Sequence, residues 1–360
     1  MTVQNAGAGI ARLSRRLLSL SGPDAAKFLQ GMMSAAILTR DGKLISQSGP
    51  SYSGLFTPQG RVQHDILVYP RPPQDPSQAM PDYLVEVDGN EATKLMKKLK
   101  FYKLRAKFAM RAVEPDELTV YHLWDDNKGQ AIPTLESKTT EAEMLSQDPR
   151  LAALGYRLLA KGDQLPAVDL DEVSEDSYRL RRYLHGVAES QDEIPMDHAL
   201  PLEYNMELLG GVNFQKGCYV GQELQARTKY LGIVHKRVLP CMLYEGPTPE
   251  TLEYKPEDAV SAVDIPNDSA IDKIRKEGEK ASRRDRKPGK WIAGIGNVGL
   301  AVCRLSAMTD VIPPHPPDMP VNATFTPDTE FKVDAADGKV VKVKAFVPEW
   351  LRQGLVGYRD

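Results

Sequence analysis

Ala25, Phe28, Leu29 and Met32 stand at i, i+3, i+4 and i+7, and that spacing predicts a helix with one apolar face. Ser21-Gly22-Pro23-Asp24 just before it is a helix-start sequence. Ala92, Leu95, Met96 and Leu99 repeat the pattern and predict a second amphipathic helix. Residues 52–56 and 62–69 read as strands on either side of Thr57-Pro58-Gln59-Gly60, a tight-turn sequence. The run 71–82 holds four prolines and predicts a loop, and Tyr83–Val87 a further strand. Lys107–Val113 and Leu118–Trp124 read as a hairpin across Glu114-Pro115-Asp116-Glu117. Near the C-terminus, Val298–Leu305 is strand-like. Glu330–Asp334 and Lys339–Val347 alternate with period two around Asp337-Gly338. Strands interleaved with helices and several hairpins predict an α+β protein with antiparallel sheets.

Two stretches break the pattern. Residues 125–150 are polar and predict an exposed excursion. In 246–290 the charges segregate: Pro249–Asp272 holds seven acidic residues and one lysine, and Lys273–Lys290 nine basic and three acidic. Such composition predicts a solvated, partly disordered insertion, or else a docking arm or basic patch. On the first reading, a short Gly/Ser linker replaces residues 250–286 without loss of fold. Gly294-Ile295-Gly296-Asn297-Val298-Gly299 matches a dinucleotide-binding pattern, yet the next residues are strand-like rather than helical. A glycine-rich turn between strands is expected there instead.

At 360 residues the chain is long enough for two or three domains, and 41% hydrophobic residues suffice for real cores. A formal charge of −3 gives no global case for nucleic-acid binding. No apolar run approaches the ~18–20 residues of a membrane span. Three cysteines far apart, at 218, 241 and 303, argue against a disulfide framework and against a self-contained metal site. Cys241 and Cys303 lie in strand-like runs and read as core residues. The six histidines show no ligand pairing, and His235 reads as a surface or packing residue. Asp197 and His198 either line a cavity near the third cysteine or cap a turn.

That third cysteine stands in Lys216-Gly217-Cys218-Tyr219-Val220-Gly221-Gln222-Glu223. A thiol near a cation and a helix start tends toward thiolate, which is both nucleophile and metal ligand. Lys216 and a helix beginning near Gly221 are therefore expected to activate an accessible Cys218. The octapeptide resembles the KGCYxGQE signature of the YgfZ-type iron–sulfur cluster assembly factors, relatives of the aminomethyltransferase of the glycine cleavage system. The resemblance extends to Arg16–Gly31, to Phe56–Val62 with Asp65–Val68, and to Tyr178–Arg182 with Gly186. It covers about residues 10–245 and is greatest to the mitochondrial branch, which helps mature four-iron clusters.

The resemblance implies an N-terminal region over 10–240, split in sequence around a ferredoxin-like part at about 50–115. A C-terminal β-barrel would follow over 241–360, with the charged insertion at about 246–290. It implies a mitochondrial matrix location, with any targeting segment removed, since residues 1–7 lack transit-peptide character. It also implies a cleft for tetrahydrofolate, to which Tyr219, Gln222 and Arg227 could contribute. No nucleophile–base pair accompanies Cys218 in the sequence. A non-enzymatic assembly role therefore comes first, with Cys218 as ligand of an iron–sulfur cluster shared with an A-type carrier and the chain monomeric by itself. A folate-dependent one-carbon transferase is second, and a pure scaffold third.

Overall fold

The structure, a computed structural model, describes residues 7–45, 49–73, 77, 80–127, 142–256, 260–275 and 287–358. In chain order, β1 (Ala8–Arg12), β2 (Arg16–Ser21), α1 (Ala25–Met32), β3 (Ser51–Phe56), β4 (Val62–Arg71), β5 (Asp82–Val87), α2 (Ala92–Lys103) and β6 (Ala109–Val113) come first. β7 (Leu118–Asp125), β8 (Ala142–Gln147), β9 (Tyr156–Lys161), β10 (Glu172–Val173), α3 (Glu175–His185) and α4 (Gln222–Leu231) follow. The last third holds β11 (Lys236–Tyr244), β12 (Ala270–Lys273), β13 (Gly289–Ile295), β14 (Val298–Arg304), α5 (Leu305–Met308), β15 (Phe331–Asp334), β16 (Val340–Ala345) and α6 (Glu349–Val356).

Among the described residues, two five-stranded sheets and a closed six-stranded barrel result. One sheet runs β3-β4-β5-β2-β6 with every neighbour antiparallel. Leaving out edge strand β3, its β-α-β-β-α-β order is the ferredoxin-like one. Both predicted helices form, and Leu29, Leu95 and Leu99 bury their apolar faces in one core with Leu18, Val68 and Val85. The second sheet, β10-β1-β7-β9-β8, takes β1 from before the first and its other strands from after it. The N-terminal region is therefore split in sequence around the ferredoxin-like sheet, which runs from Arg16 to Val113 and so starts well before the expected residue 50.

The expected hairpin over 107–124 does not form. β6 pairs with β2, whereas β7 pairs with β1 and β9, so Glu114–Glu117 carries the chain from one sheet to the other. Local pattern cannot tell these cases apart, because a four-residue connection suits both. The excursion expected at 125–150 is corrected in part. Residues 128–141 lie outside the described ones, but β8 adds an edge strand to β9, and Asp148 and Arg150 are buried.

The charged stretch 246–290 is also corrected. Residues 257–259 and 276–286 lie outside the described ones. Within the remainder, β12 closes the barrel between β13 and β15, and Leu252, Val260, Ala262, Ile265 and Ile271 are buried. A linker in place of 250–286 would delete a barrel strand. Only Ile271 of β12 is fully buried, so charged neighbours masked the strand. The glycine-rich 294–299 is a hairpin turn joining β13 to β14, with Gly296 at φ +54.

Where the two sheets face each other, Leu17, Leu67, Tyr69 and Leu84 pack on Ala11, Val120 and Leu159. The same layer holds a buried ionic network. Arg15 reaches Glu86 at 2.5 Å and Asp65 at 3.1 Å. Arg157 and Arg150 reach the same Glu189 oxygen at 2.5 and 2.6 Å, and the Tyr178 hydroxyl donates to it at 2.8 Å. Arg150 also pairs with Asp148 at 2.6 Å, and Arg182 with Glu193 at 2.6 Å. Burial alone would raise the Glu189 carboxyl; Arg157, Arg150, Arg15 and Arg182 instead hold it well below the usual range. Asp148, likewise desolvated, is held down to about 2 by Arg150 and Arg157.

Replacing Glu189 with Gln leaves arginines buried with too little counter-charge. We expect Glu189→Gln to cost about 3–5 kcal/mol in chemical denaturation; a change within about 0.5 kcal/mol, the usual surface value, would mean that solvent reaches the network. A second outcome concerns pH. Burial, with Arg157 adding to it, pulls fully buried His122 down to about 3. The unfolded chain takes up that proton below about 6.5, so this contribution is complete above about 6.5 and is lost as pH falls toward 3. The lowered carboxylates act in the same direction below about 4.3. The His122 contribution should fall by about 2 kcal/mol between pH 7 and 5, on top of that of His185, which burial pulls to about 4, so the total loss should be smaller in His122→Gln.

Candidate functional site

The loop carrying Cys218 is fastened at both ends and along its buried side. At its start the Asn213 side chain accepts from the backbone N–H groups of Gln215 (2.8 Å) and Lys216 (3.0 Å), while the Asn213 N–H donates to Ser34 O at 2.9 Å. Lys216 turns inward. Its Nζ donates to the carbonyls of Gln30 and Met33, each at 2.6 Å, and of Ala35 at 2.9 Å. These carbonyls surround the C-terminal end of α1, where backbone acceptors lack helical partners and a positive charge is favoured. An ammonium has three donors, and all three are used here. Burial pulls Lys216 down to about 7, against acceptors that favour its charged form.

Tyr219 turns the same way. Its ring lies 6.2 Å from that of Phe56, with the Lys216 ammonium 5.0 Å from its centroid. Burial raises its phenol, and the hydroxyl has no hydrogen-bond partner among the described residues. Gly221 closes the loop at φ +81, where a Cβ would meet Thr57 O at 2.4 Å, so only glycine fits. Helix α4 starts at the next residue, and its buried Gln225 donates to Gly60 O at 2.6 Å. The Thr57–Gly60 turn and the Cys218 loop thus brace each other.

With Lys216 and Tyr219 inside, Cys218 is exposed, and it is the exposed one of the three cysteines. Cys241 and Cys303 are fully buried within the barrel, their sulfurs 3.8 Å apart. The expected partnership of Lys216 with the thiol is not made: the ammonium is an anchor. Gly217 and Glu223 are exposed and Gln222 is partly so. Asp197 and His198 serve the neighbouring turn. Asp197 N–H donates to Val62 O and its carboxylate accepts from Gln63, while His198 O accepts from Arg61.

The barrel residues 236–353 match the family model described as the CAF17 C-terminal beta-barrel domain. Over almost the whole chain, an iron-sulfur cluster assembly factor IBA57 homolog, mitochondrial, of Pyricularia oryzae is 45% identical, covering 95% of this chain and 84% of the relative. The relative of the same name from Neurospora crassa is 42% identical, covering 96% and 81%. The chain belongs to this IBA57 family of mitochondrial iron–sulfur cluster assembly factors. In fold it is similar to glycine cleavage system aminomethyltransferase T from Bartonella henselae, with a TM-score of 0.59, 12% identity, and 96% and 87% of the two chains covered.

In this IBA57-family chain the three residues expected to contribute to a folate cleft differ in exposure. Tyr219 is buried and Arg227 exposed, and on α4 Gln222 and Arg227 point about 140° apart. Sequence reasoning missed Gln225 and the α1 carbonyls; backbone acceptors leave no trace in residue types. It also missed a cluster beside the loop, where Phe214 meets Tyr230 at 6.0 Å and the Lys229 ammonium sits 3.6 Å from the Tyr358 ring centroid.

Because three carbonyls lose their donor at once, Lys216→Met should lower stability by about 2–4 kcal/mol. Urea unfolding measures it, and a loss under about 0.5 kcal/mol would show that Lys216 is not the anchor.

Proposed function

We propose that this chain is an iron–sulfur cluster assembly factor of the mitochondrial matrix, and that Cys218 lends one thiolate to a cluster shared with an A-type iron–sulfur carrier. The observation that carries the reading is the segregation of its cysteines: one exposed on a braced loop, two sealed in a barrel. The names of the relatives support the assembly role.

Iron–sulfur clusters are held by about four protein ligands, mostly cysteine. One exposed thiol meets about a quarter of that need, so the remaining ligands come from the partner. The cluster is cargo here, bound between two surfaces. The braced loop contributes preorganisation: because neighbouring side chains are anchored beneath it, the sulfur is presented with little backbone freedom left to lose.

Reconstitution tests this. With iron and sulfide the isolated protein should stay nearly colourless. With an A-type carrier it should give a heteromeric chromophore that changes in Cys218→Ser but not in Cys241→Ala. A stoichiometric cluster on the isolated protein, or an unchanged spectrum in Cys218→Ser, would refute the shared-ligand reading.

A further inference from the structure

The outer face of α2 plays no part in the cysteine chemistry. Ala92, Leu95 and Leu99 are the buried positions of that helix, so its other face carries Lys97, Lys100, Phe101 and Leu104, at i, i+3, i+4 and i+7. Phe101 is 77% exposed and Leu104 88%, the highest of any large apolar side chain among the described residues. The Tyr102 ring, also exposed, stands edge-on to Phe101 at 5.5 Å. Leu104 ends the helix at φ +47, a conformation that suits glycine. A leucine there adds backbone strain and buries almost nothing within the chain, which marks a surface made for something outside it.

Charge gathers at the same end. Lys97 to Lys107 holds six basic residues and no acidic one. Lys98 is half-buried and faces Asp197, and Lys103 lies 5.1 Å from the Phe108 ring centroid. Lys97, Lys100, Arg105 and Lys107 are exposed, and their side chains have no ion-pair partner among the described residues. Carboxylates on the adjoining elements are few. Asp24 accepts from the Lys107 N–H at 2.6 Å, with exposed Lys27 one helical turn on. Asp82 accepts from Ser21 and Gly22 and stands opposite Arg71 in the sheet. With Asp75 of the β4–β5 connection counted too, which lies outside the described residues, cations still outnumber carboxylates here.

We infer that the C-terminal end of α2 docks on the surface of a lipid bilayer that carries anionic headgroups. Lipid phosphates supply the complementary charge, and a cluster of roughly four to eight Lys or Arg on an amphipathic helix suits such a surface. Lysines flank Phe101 and Leu104 as on interfacial helices, where ammonium groups stay among the headgroups and apolar side chains enter the acyl boundary. A protein partner fits less well, since protein interfaces are depleted in lysine. A nucleic acid also fits less well, because base stacking uses aromatic faces and would leave Leu104 in water. No helix among the described residues is long and apolar enough to cross a membrane, so the association is peripheral and reversible.

The inference is independent of Cys218, and so is its test. The full chain is sedimented at low ionic strength with vesicles of equal parts phosphatidylcholine and phosphatidylglycerol, and separately with vesicles of phosphatidylcholine alone. It should pellet with the first and not the second, and added salt should release it. Lys97→Gln with Lys100→Gln should weaken vesicle binding on the order of tenfold. Leu104→Gly removes only an exposed side chain and suits the backbone better, so the melting temperature should hold or rise while binding weakens about threefold or more. If the lysine pair does not fold, Leu104→Gly with Phe101→Ala replaces it. The inference fails if neutral vesicles bind as well as anionic ones, if neither pellets the protein, or if either folded variant binds as tightly as the parent. Tighter binding to a short oligonucleotide than to the anionic vesicles would overturn it as well.

Discussion

Everything in the N-terminal two-thirds is organised around one carboxylate. Glu189 sits just beyond α3 and is approached by arginines from the β1–β2 connection, from the β8–β9 connection and from β9. It therefore joins the two sheets and the helix at one point. Burying such charges is expensive, and a well-packed apolar replacement would often be as stable. Removing one member is another matter, because its partners are then stranded without water or counter-charge. That asymmetry makes the network a device of register. The sheets can slide or rotate only by breaking pairs that nothing else in the layer can satisfy.

The Cys218 loop depends on the same layer at one remove. Asp65 in β4 accepts from Arg15 and from the Ser190 N–H, so the network holds the strand whose hairpin turn braces the loop. α1, whose last carbonyls receive Lys216, lies across the ferredoxin-like sheet. An exposed thiol on an unsupported loop would sample many positions, and each would cost entropy when a partner arrives. Here the signature commits a lysine, a tyrosine and a glycine to holding the backbone and leaves the Cys218 side chain exposed.

Much of this was legible in the residues. The α1 and α2 faces, the 57–60 turn and the last barrel strands all follow from local spacing. What was misread has one physical origin. β6 and β7 look like a hairpin because strand periodicity says which faces are apolar but not which neighbour covers them. β12 was hidden because a strand with one fully buried residue lies below any composition signal. The inward turn of Lys216 was invisible because its acceptors are backbone carbonyls far away in sequence, that of Met33 lying 183 residues before it.

The sequence alone determined the kinds of element, the family resemblance and the one cysteine set among glycines and polar groups. Those depend on the identity of neighbouring residues, which a chain carries whether folded or not. Tertiary structure decided which cysteine is exposed and which lysine is an anchor. Each of those is a relation between residues distant in sequence, created only when strand pairing brings them to one place and burial removes the water between them.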